Sequence, residues 1–369
     1  MIRIRHIRSY LALLLLGGCG QPVPKAESRP QETPPPEPPP LIVEVVPPEP
    51  EPFRLYAPTR QHCLDGSRVT NIFMHAGNGN PESGLFGFQR AAADGRPRLH
   101  EGIDIAPLAR DKRRRPLDEV TAAATGTVAY VNRRAGDSSY GIYIVILHQA
   151  PHLGPVYTLY AHLASIAPDI KPGKTVVAGN LLGRIGNTPG FPLSRAHLHF
   201  ECGLINNNRF ARWYHDRYLK RHPPKKNRPR PADHGIFHGS NLTGLNPNDL
   251  FRIRAEDASV PLLPYLRELP IAFTLLCKTN RIPDYFRRYP ALWSGEPFRP
   301  GTIRLSVSQE GIVLRGTNEP ESNEATALPK ILAVNTTLPG LLGRRYVRPD
   351  GARWKLTPSG EEWLDAFLY

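Results

Sequence analysis

Cysteine is scarce in this chain: four residues in 369, at positions 19, 63, 202 and 277. Scattered so widely, they do not outline a closed four-cysteine zinc site. Long apolar runs are also lacking near the N-terminus, where Tyr10 to Leu16 gives about seven apolar-rich residues, far too short to cross a bilayer. Acidic residues are outnumbered, 33 against 47 Lys and Arg, for a net charge of +14. That balance suits an anionic partner such as nucleic acid, a membrane surface or an acidic polymer, and charge alone does not choose among them. Proline, by contrast, is plentiful and concentrated, 41 in all. The length leaves room for two domains plus tails, with ample core in each.

The N-terminus narrows the choice of partner. Arg3, Arg5 and Arg8 precede the short apolar run, which ends at Leu16-Gly17-Gly18-Cys19. This resembles a bacterial lipoprotein signal, with residues 1–18 removed and Cys19 lipidated. An ordinary signal peptide cut near Gly18 is the alternative, and both export the protein. Nucleic acid is therefore not an expected partner, whereas a membrane is, through a lipid anchor at Cys19. Gly20 follows the cysteine, so the resemblance carries no inner-membrane retention signal and points to the outer membrane, facing the periplasm.

Residues 19–52 read as the lipidated cysteine and a proline-rich linker. Pro34-Pro35-Pro36 and Pro38-Pro39-Pro40 favour polyproline II, which at about 3.1 Å per residue would extend roughly 100 Å. Within it, Leu41 to Val46 is a candidate docking strand. From about residue 68 the pattern becomes strands and turns: Thr127–Val131, Ile142–Leu147, Val156–His162, and Thr175–Val177 with Leu181-Leu182 about Gly179-Asn180, a hairpin signal. Ala196–Cys202 is a further strand, and no clear helix joins one strand to the next. The fold class expected is mainly β, an antiparallel sheet or sandwich, over residues 53–251. Residues 207–244 interrupt it with a helical pattern at Phe210, Trp213, Tyr214, Arg217, Tyr218 and Arg221, then the basic run Lys225–Pro231. Asn246–Phe251 reads as a closing turn. A smaller α+β module of unknown role is expected over 252–369, with a hairpin about Gln309-Glu310-Gly311 and a final helix opened by a capping box at Ser359 and Glu362. Cys202, on the opposite strand parity from the nearby histidines, reads as a core thiol. Cys63 and Cys277 form a candidate disulfide.

The chemistry lies in His100-Glu101-Gly102-Ile103-Asp104 and His197-Leu198-His199. On a strand, i, i+2 and i+4 share a face, which puts His197 with His199 and His100 with Asp104. Two imidazoles and a carboxylate hold one zinc and leave its fourth position open, the arrangement of a catalytic site, with a further imidazole alongside. Glu201 shares the parity of His199, as its partner or as a solvated residue.

Phe86-Gly87, His-x-Gly-x-Asp at 100–104, Tyr160-Ala161-His162-Leu163, His197-Leu198-His199-Phe200-Glu201 and Asn246-Pro247 occur in the order of the lysostaphin/LytM-type zinc metallopeptidases, and residues of roughly 70–251 resemble that family. The resemblance implies that His100, Asp104 and His199 bind Zn2+ and that His162 and His197 are the catalytic pair. One of the pair would take the proton of the attacking water and the other stabilise the oxyanion, in an order the sequence leaves open. It also implies hydrolysis of peptide cross-links in bacterial peptidoglycan, as a zinc metalloendopeptidase. The chain departs from the family pattern at Phe191–Ala196, where the family has small residues and proline, and in the basic loop Asp111–Arg115. Two other functions fit the same residues: a non-catalytic wall-binding regulator of other hydrolases, and an exported zinc peptidase acting on proteins.

Overall fold

The computed structural model describes residues 52–91, 97–223, 233–320, 327–338 and 346–369. The signal segment, Cys19, the linker as far as Glu51 and the basic run 225–231 lie outside the described residues. Among those described, no helix is long and apolar enough to cross a membrane.

Short β-branched and aromatic runs broken by turns pair locally, and the result is the expected mainly antiparallel β architecture. The strands of the first two-thirds are β1 (Gln89–Ala91), β2 (Pro97–Leu99), β3 (Ile103–Ile105), β4 (Glu119–Thr121), β5 (Gly126–Asn132), β6 (Tyr143–Ala150), β7 (Gly154–Ala161), β8 (Leu163–Ile166), β9 (Thr175–Val176), β10 (Leu181–Ile185), β11 (Leu198–Ile205) and β12 (Leu242–Leu245). A seven-stranded sheet runs β12-β11-β7-β6-β5-β9, and β3 shares with β12 one edge of β11. A three-stranded sheet, β4-β10-β8, packs beside it. The segments 175–177 and 181–182 are not hairpin partners. β9 pairs with β5, and β10 pairs with β4 and β8, so the Gly179-Asn180 turn carries the chain between sheets.

All eight residues of β11 are buried. Leu198, Phe200, Cys202 and Leu204 enter the main hydrophobic core. The opposite parity sends His199 and Glu201 to the other face, beside the tyrosine cluster of Tyr140, Tyr143 and Tyr157. Gly102 is required where the chain crosses this strand, because a Cβ there would sit 2.3 Å from the Phe200 carbonyl oxygen.

A helix, α1, spans 210–221 with a π turn at Tyr214–Tyr218. Asn246 is not a closing turn. Its side chain accepts from Asn248 N–H and caps α2 (Pro247–Glu256), so the expected boundary at 251/252 falls within a helix. After α3 (Leu262–Glu268) comes a second antiparallel sheet of β13 (Ile271–Thr279), β14 (Gly301–Ser308), β15 (Val313–Asn318) and β16 (Lys330–Val334), with α4 (Asp284–Arg288) between the first two. The β14–β15 turn contains Gln309–Gly311 as expected. The hairpin of β17 (Val347–Asp350) and β18 (Arg353–Leu356) leads into α5 (Pro358–Leu368), whose cap is Thr357, accepting from Gly360 N–H, rather than Ser359. Residues 49–369 form one compact unit, and Phe251, Leu275 and Phe367 belong to the same core as Phe200. The Ile205 N–H donates to Tyr289 Oη at 2.9 Å, joining the later segment to β11. The three described cysteines are free: Cys63 is exposed, while Cys202 and Cys277 are buried, so the candidate Cys63–Cys277 disulfide is not formed.

His148 sits buried on β6, with its ring nitrogens on the Thr125 carbonyl (2.8 Å) and Thr158 Oγ1 (2.7 Å). Burial lowers its pKa to about 4. The unfolded imidazole titrates near 6.5, so the fold loses stability as the pH falls from about 6.5 to 4. His148 is expected to account for about 3 kcal/mol of that loss, measured by denaturant unfolding across this window. A His148→Gln variant should show a shallower pH dependence.

Candidate metal centre

His100 and Asp104 do not share one strand. β2 ends at Leu99, the chain bends through Glu101 and Gly102, and Asp104 lies at the centre of β3. They meet nonetheless, because β3 pairs antiparallel with β11 and sets Asp104 directly opposite His199. His100 Nε2 lies 3.1 Å from Asp104 Oδ1 and 3.1 Å from His199 Nδ1, and the latter two are 2.9 Å apart. All three residues are buried. Zinc bonds of about 2.0–2.1 Å in a tetrahedron imply ligand atoms about 3.3 Å apart, so this triangle fits a zinc ion with slight expansion.

Each ligand is also held from behind. His100 Nδ1–H donates to the Leu85 carbonyl at 2.8 Å. Asp104 Oδ2 accepts from Arg90 Nη2 at 2.6 Å, while Arg90 Nε donates to the Ser83 carbonyl at 2.8 Å. His199 Nε2 meets Glu201 Oε1 at 2.8 Å. Glu201, which the sequence left open, is thus a buried partner of His199, and its carboxylate also accepts from the hydroxyls of Tyr140 (2.7 Å) and Tyr157 (2.8 Å). Such outer contacts fix which ring nitrogen faces the ion and how the ring is turned.

The electrostatics follow from this packing. Burial pushes the Asp104 carboxyl upward, but His100, His197 and Arg90 outweigh it and hold the group well below the usual range. Burial lowers the His199 imidazole, yet its hydrogen bonds to Asp104 and Glu201 prevail and raise it to about 9. Burial also lowers His100, against the pull of Asp104.

His162 and His197 stand beside the triangle with ring centroids 4.8 Å apart. His162 Nδ1–H donates to the Thr188 carbonyl (2.7 Å) and His197 Nδ1–H to the Arg195 carbonyl (2.6 Å). Carbonyls only accept, so both rings carry the proton on Nδ1 and keep an Nε2 lone pair for the cleft. His197 Nε2 is 3.5 Å from Asp104 Oδ1. Burial lowers both pKa values, that of His162 strongly, and keeps the pair neutral. His162 has φ 61°, in the left-handed region where a non-glycine residue is strained. Phe191 packs edge-on against His162 at 4.9 Å, and the Arg195 guanidinium lies over that ring at 5.4 Å. From the loop after the first motif, Arg110 Nη1 donates to the Leu193 carbonyl (2.6 Å) and Nη2 to the Ala196 carbonyl (3.2 Å), clamping the turn that leads into His197.

The five residues singled out in the sequence therefore converge on one site. Arg90, Tyr140 and Tyr157 were missed. Each acts across a turn or between strands, and a one-dimensional motif carries no signal of that.

Three buried side chains that could hold one metal ion, flanked by two neutral imidazoles, make up the candidate site. Residues 98–210 match the model of Peptidase family M23. This match contains all five site residues, and the resemblance to the lysostaphin/LytM-type peptidases holds for that segment. No curated protein matches the chain. Among solved structures it is similar to Csd3 of Helicobacter pylori (22% identity, 41% of this chain and 30% of that one, TM-score 0.24). It is also similar to a zinc-containing peptidase of Vibrio cholerae (24%, 41% and 36%, TM-score 0.26). A third likeness is to the catalytic domain of lysostaphin from Staphylococcus simulans (21%, 32% and 75%, TM-score 0.23). The matched part spans about a third of the first two chains. At such scores these likenesses carry no argument, and what is shown is the match of residues 98–210 to the family model.

The protein should bind about one zinc per chain, with His199→Ala and Asp104→Ala abolishing it, as read by elemental analysis of the dialysed protein. Arg90→Ala should fold and still bind, with affinity lowered about 10–100-fold in a competitive chelator titration.

Proposed function

We propose that the protein is a zinc-dependent endopeptidase that hydrolyses peptide cross-links of bacterial peptidoglycan, anchored by a lipid on Cys19 at the periplasmic face of the outer membrane. The observation that carries the catalytic part is the convergence of the His100, Asp104 and His199 ligand atoms beside the two free Nε2 lone pairs of His162 and His197. Bound at that triangle, zinc would supply Lewis acidity. The chain's own residues supply the proton chemistry. One neutral imidazole accepts a proton of the attacking water at Nε2 and, as the imidazolium, hydrogen-bonds the developing oxyanion, while the other, still neutral, accepts the second O–H of the water and orients it. The Thr188 and Arg195 carbonyls keep both rings in the tautomer this requires. Departure of the amine takes up the proton that the base first removed, so the pair returns to its starting state.

Support for the wall as substrate comes from the M23 match over 98–210, from the resemblance of the N-terminus to a lipoprotein signal and from the excess of basic residues. Digestion of purified sacculi by the zinc-loaded protein should release monomeric from cross-linked muropeptides, and a chelator should stop it. His162→Ala should retain one zinc and lose about 10²–10⁴-fold in turnover. Cleavage of casein with untouched sacculi would favour a general exported peptidase, and a protein that binds sacculi without cutting any peptide would be a regulator.

A further inference from the structure

Between α1, α5 and the edge of the site-bearing sheet lies a cavity of about 540 Å³. Its walls are aromatic: Trp213, Tyr214 and Tyr218 from α1 face Tyr346 and Trp363. α5 is tied to α1 and to the segment leading into it, since Trp213 Nε1–H donates to Asp365 Oδ2 at 2.9 Å and Asn207 Nδ2 donates to the Ala366 carbonyl at 2.5 Å. The cavity is therefore a built feature of the fold.

Its charge is opposite to that of the chain. Among the described residues three carboxylates line it, Glu101, Asp137 and Glu362, against one guanidinium, Arg98, in a protein of net charge +14. Arg98 lies 3.5 Å from Glu101, and His222 is paired with Glu362. The Asp137 carboxylate makes no ion pair or hydrogen bond among the described residues, although its backbone carbonyl accepts from His234 Nε2 at 3.0 Å. His238, also in the wall, stays neutral, its pKa lowered by burial to about 4. An anionic occupant is disfavoured by this set. Aromatic faces beside a free carboxylate attract a cation with an apolar stem. Trp363 Nε1–H is buried without an acceptor among the described residues.

The cavity adjoins the metal centre. Glu101 follows the ligand His100, and Tyr140, which lines the cavity, donates to Glu201 and sets its ring 5.7 Å from that of His199. We propose that this cavity binds the primary ammonium and aliphatic stem of a diamino acid side chain in the substrate peptide, beside the metal site. The proposal deepens the peptidase reading and rests on it for the identity of that peptide.

The test is calorimetric titration of the zinc-loaded full-length protein with three probes: the peptide acetyl-Ala-Lys-Ala-amide, the same peptide with its lysine Nε acetylated, and an N-acetylglucosamine disaccharide. The free-amine peptide should bind about tenfold more tightly than the acetylated one. Asp137→Asn should erase that difference while leaving zinc content and thermal stability unchanged, and Tyr218→Leu should reduce it. Equal binding of the two peptides, preference for the disaccharide, or an Asp137→Asn protein that still discriminates would each overturn the proposal. Muropeptide cleavage is measured separately. Intact cleavage without amine discrimination refutes the cavity assignment alone, and amine discrimination without cleavage refutes the peptidase reading alone.

Discussion

Asp104 is a carboxylate buried among polar groups that must all be satisfied at once. A buried charge is tolerated only when paired and hydrogen-bonded, and here the pairing comes from three directions. Arg90 takes Oδ2, His100 and His199 crowd Oδ1, and His197 stands just beyond. Arg90 lies on β1, and His197 and His199 lie on the segment that enters β11, so one carboxylate fixes the positions of β1, β3 and β11 relative to each other. The close crossing at Gly102 and the antiparallel register of Asp104 opposite His199 are the backbone conditions for that arrangement.

Behind this first constraint lies a second, the Glu201 carboxylate. It has no solvent access and gathers two tyrosine hydroxyls and an imidazole nitrogen. Removing any one partner leaves a buried charge short of a hydrogen bond, which is far more costly than the loss of a surface contact. The polar side of β11 is therefore as tightly specified as its apolar side, and the tyrosine cluster is part of the metal centre's foundation rather than generic core.

Much of this was legible in the sequence because strand parity is a local property. His197 and His199 point one way and Leu198, Phe200 and Cys202 the other, as a period of two requires. The hairpin about Gln309–Gly311 was legible for the same reason. What failed depended on longer range. His100 and Asp104 meet across a bend rather than along a strand. The Gly179-Asn180 turn resembles a hairpin, yet its flanks find partners elsewhere. The cap of α5 lies at Thr357, two residues before the Ser359 that the motif suggested, because Pro358 opens the helix at its first position. A boundary at 251/252 was plausible by composition, but helix α2 and a shared core cross it.

The backbone at His162 has a consequence for how the site works. This residue separates β7, in the large sheet, from β8, in the small one. His197 occupies the mirror position: it bridges to Gly186 just past β10 of the small sheet and leads directly into β11 of the large one. Both imidazoles thus sit on the seam where the chain changes sheets. The gap between their lone pairs belongs to neither sheet and is set by the dihedral between them, as the jaws of pliers are set by the pivot. Any shift of one sheet against the other would therefore move both imidazoles at once.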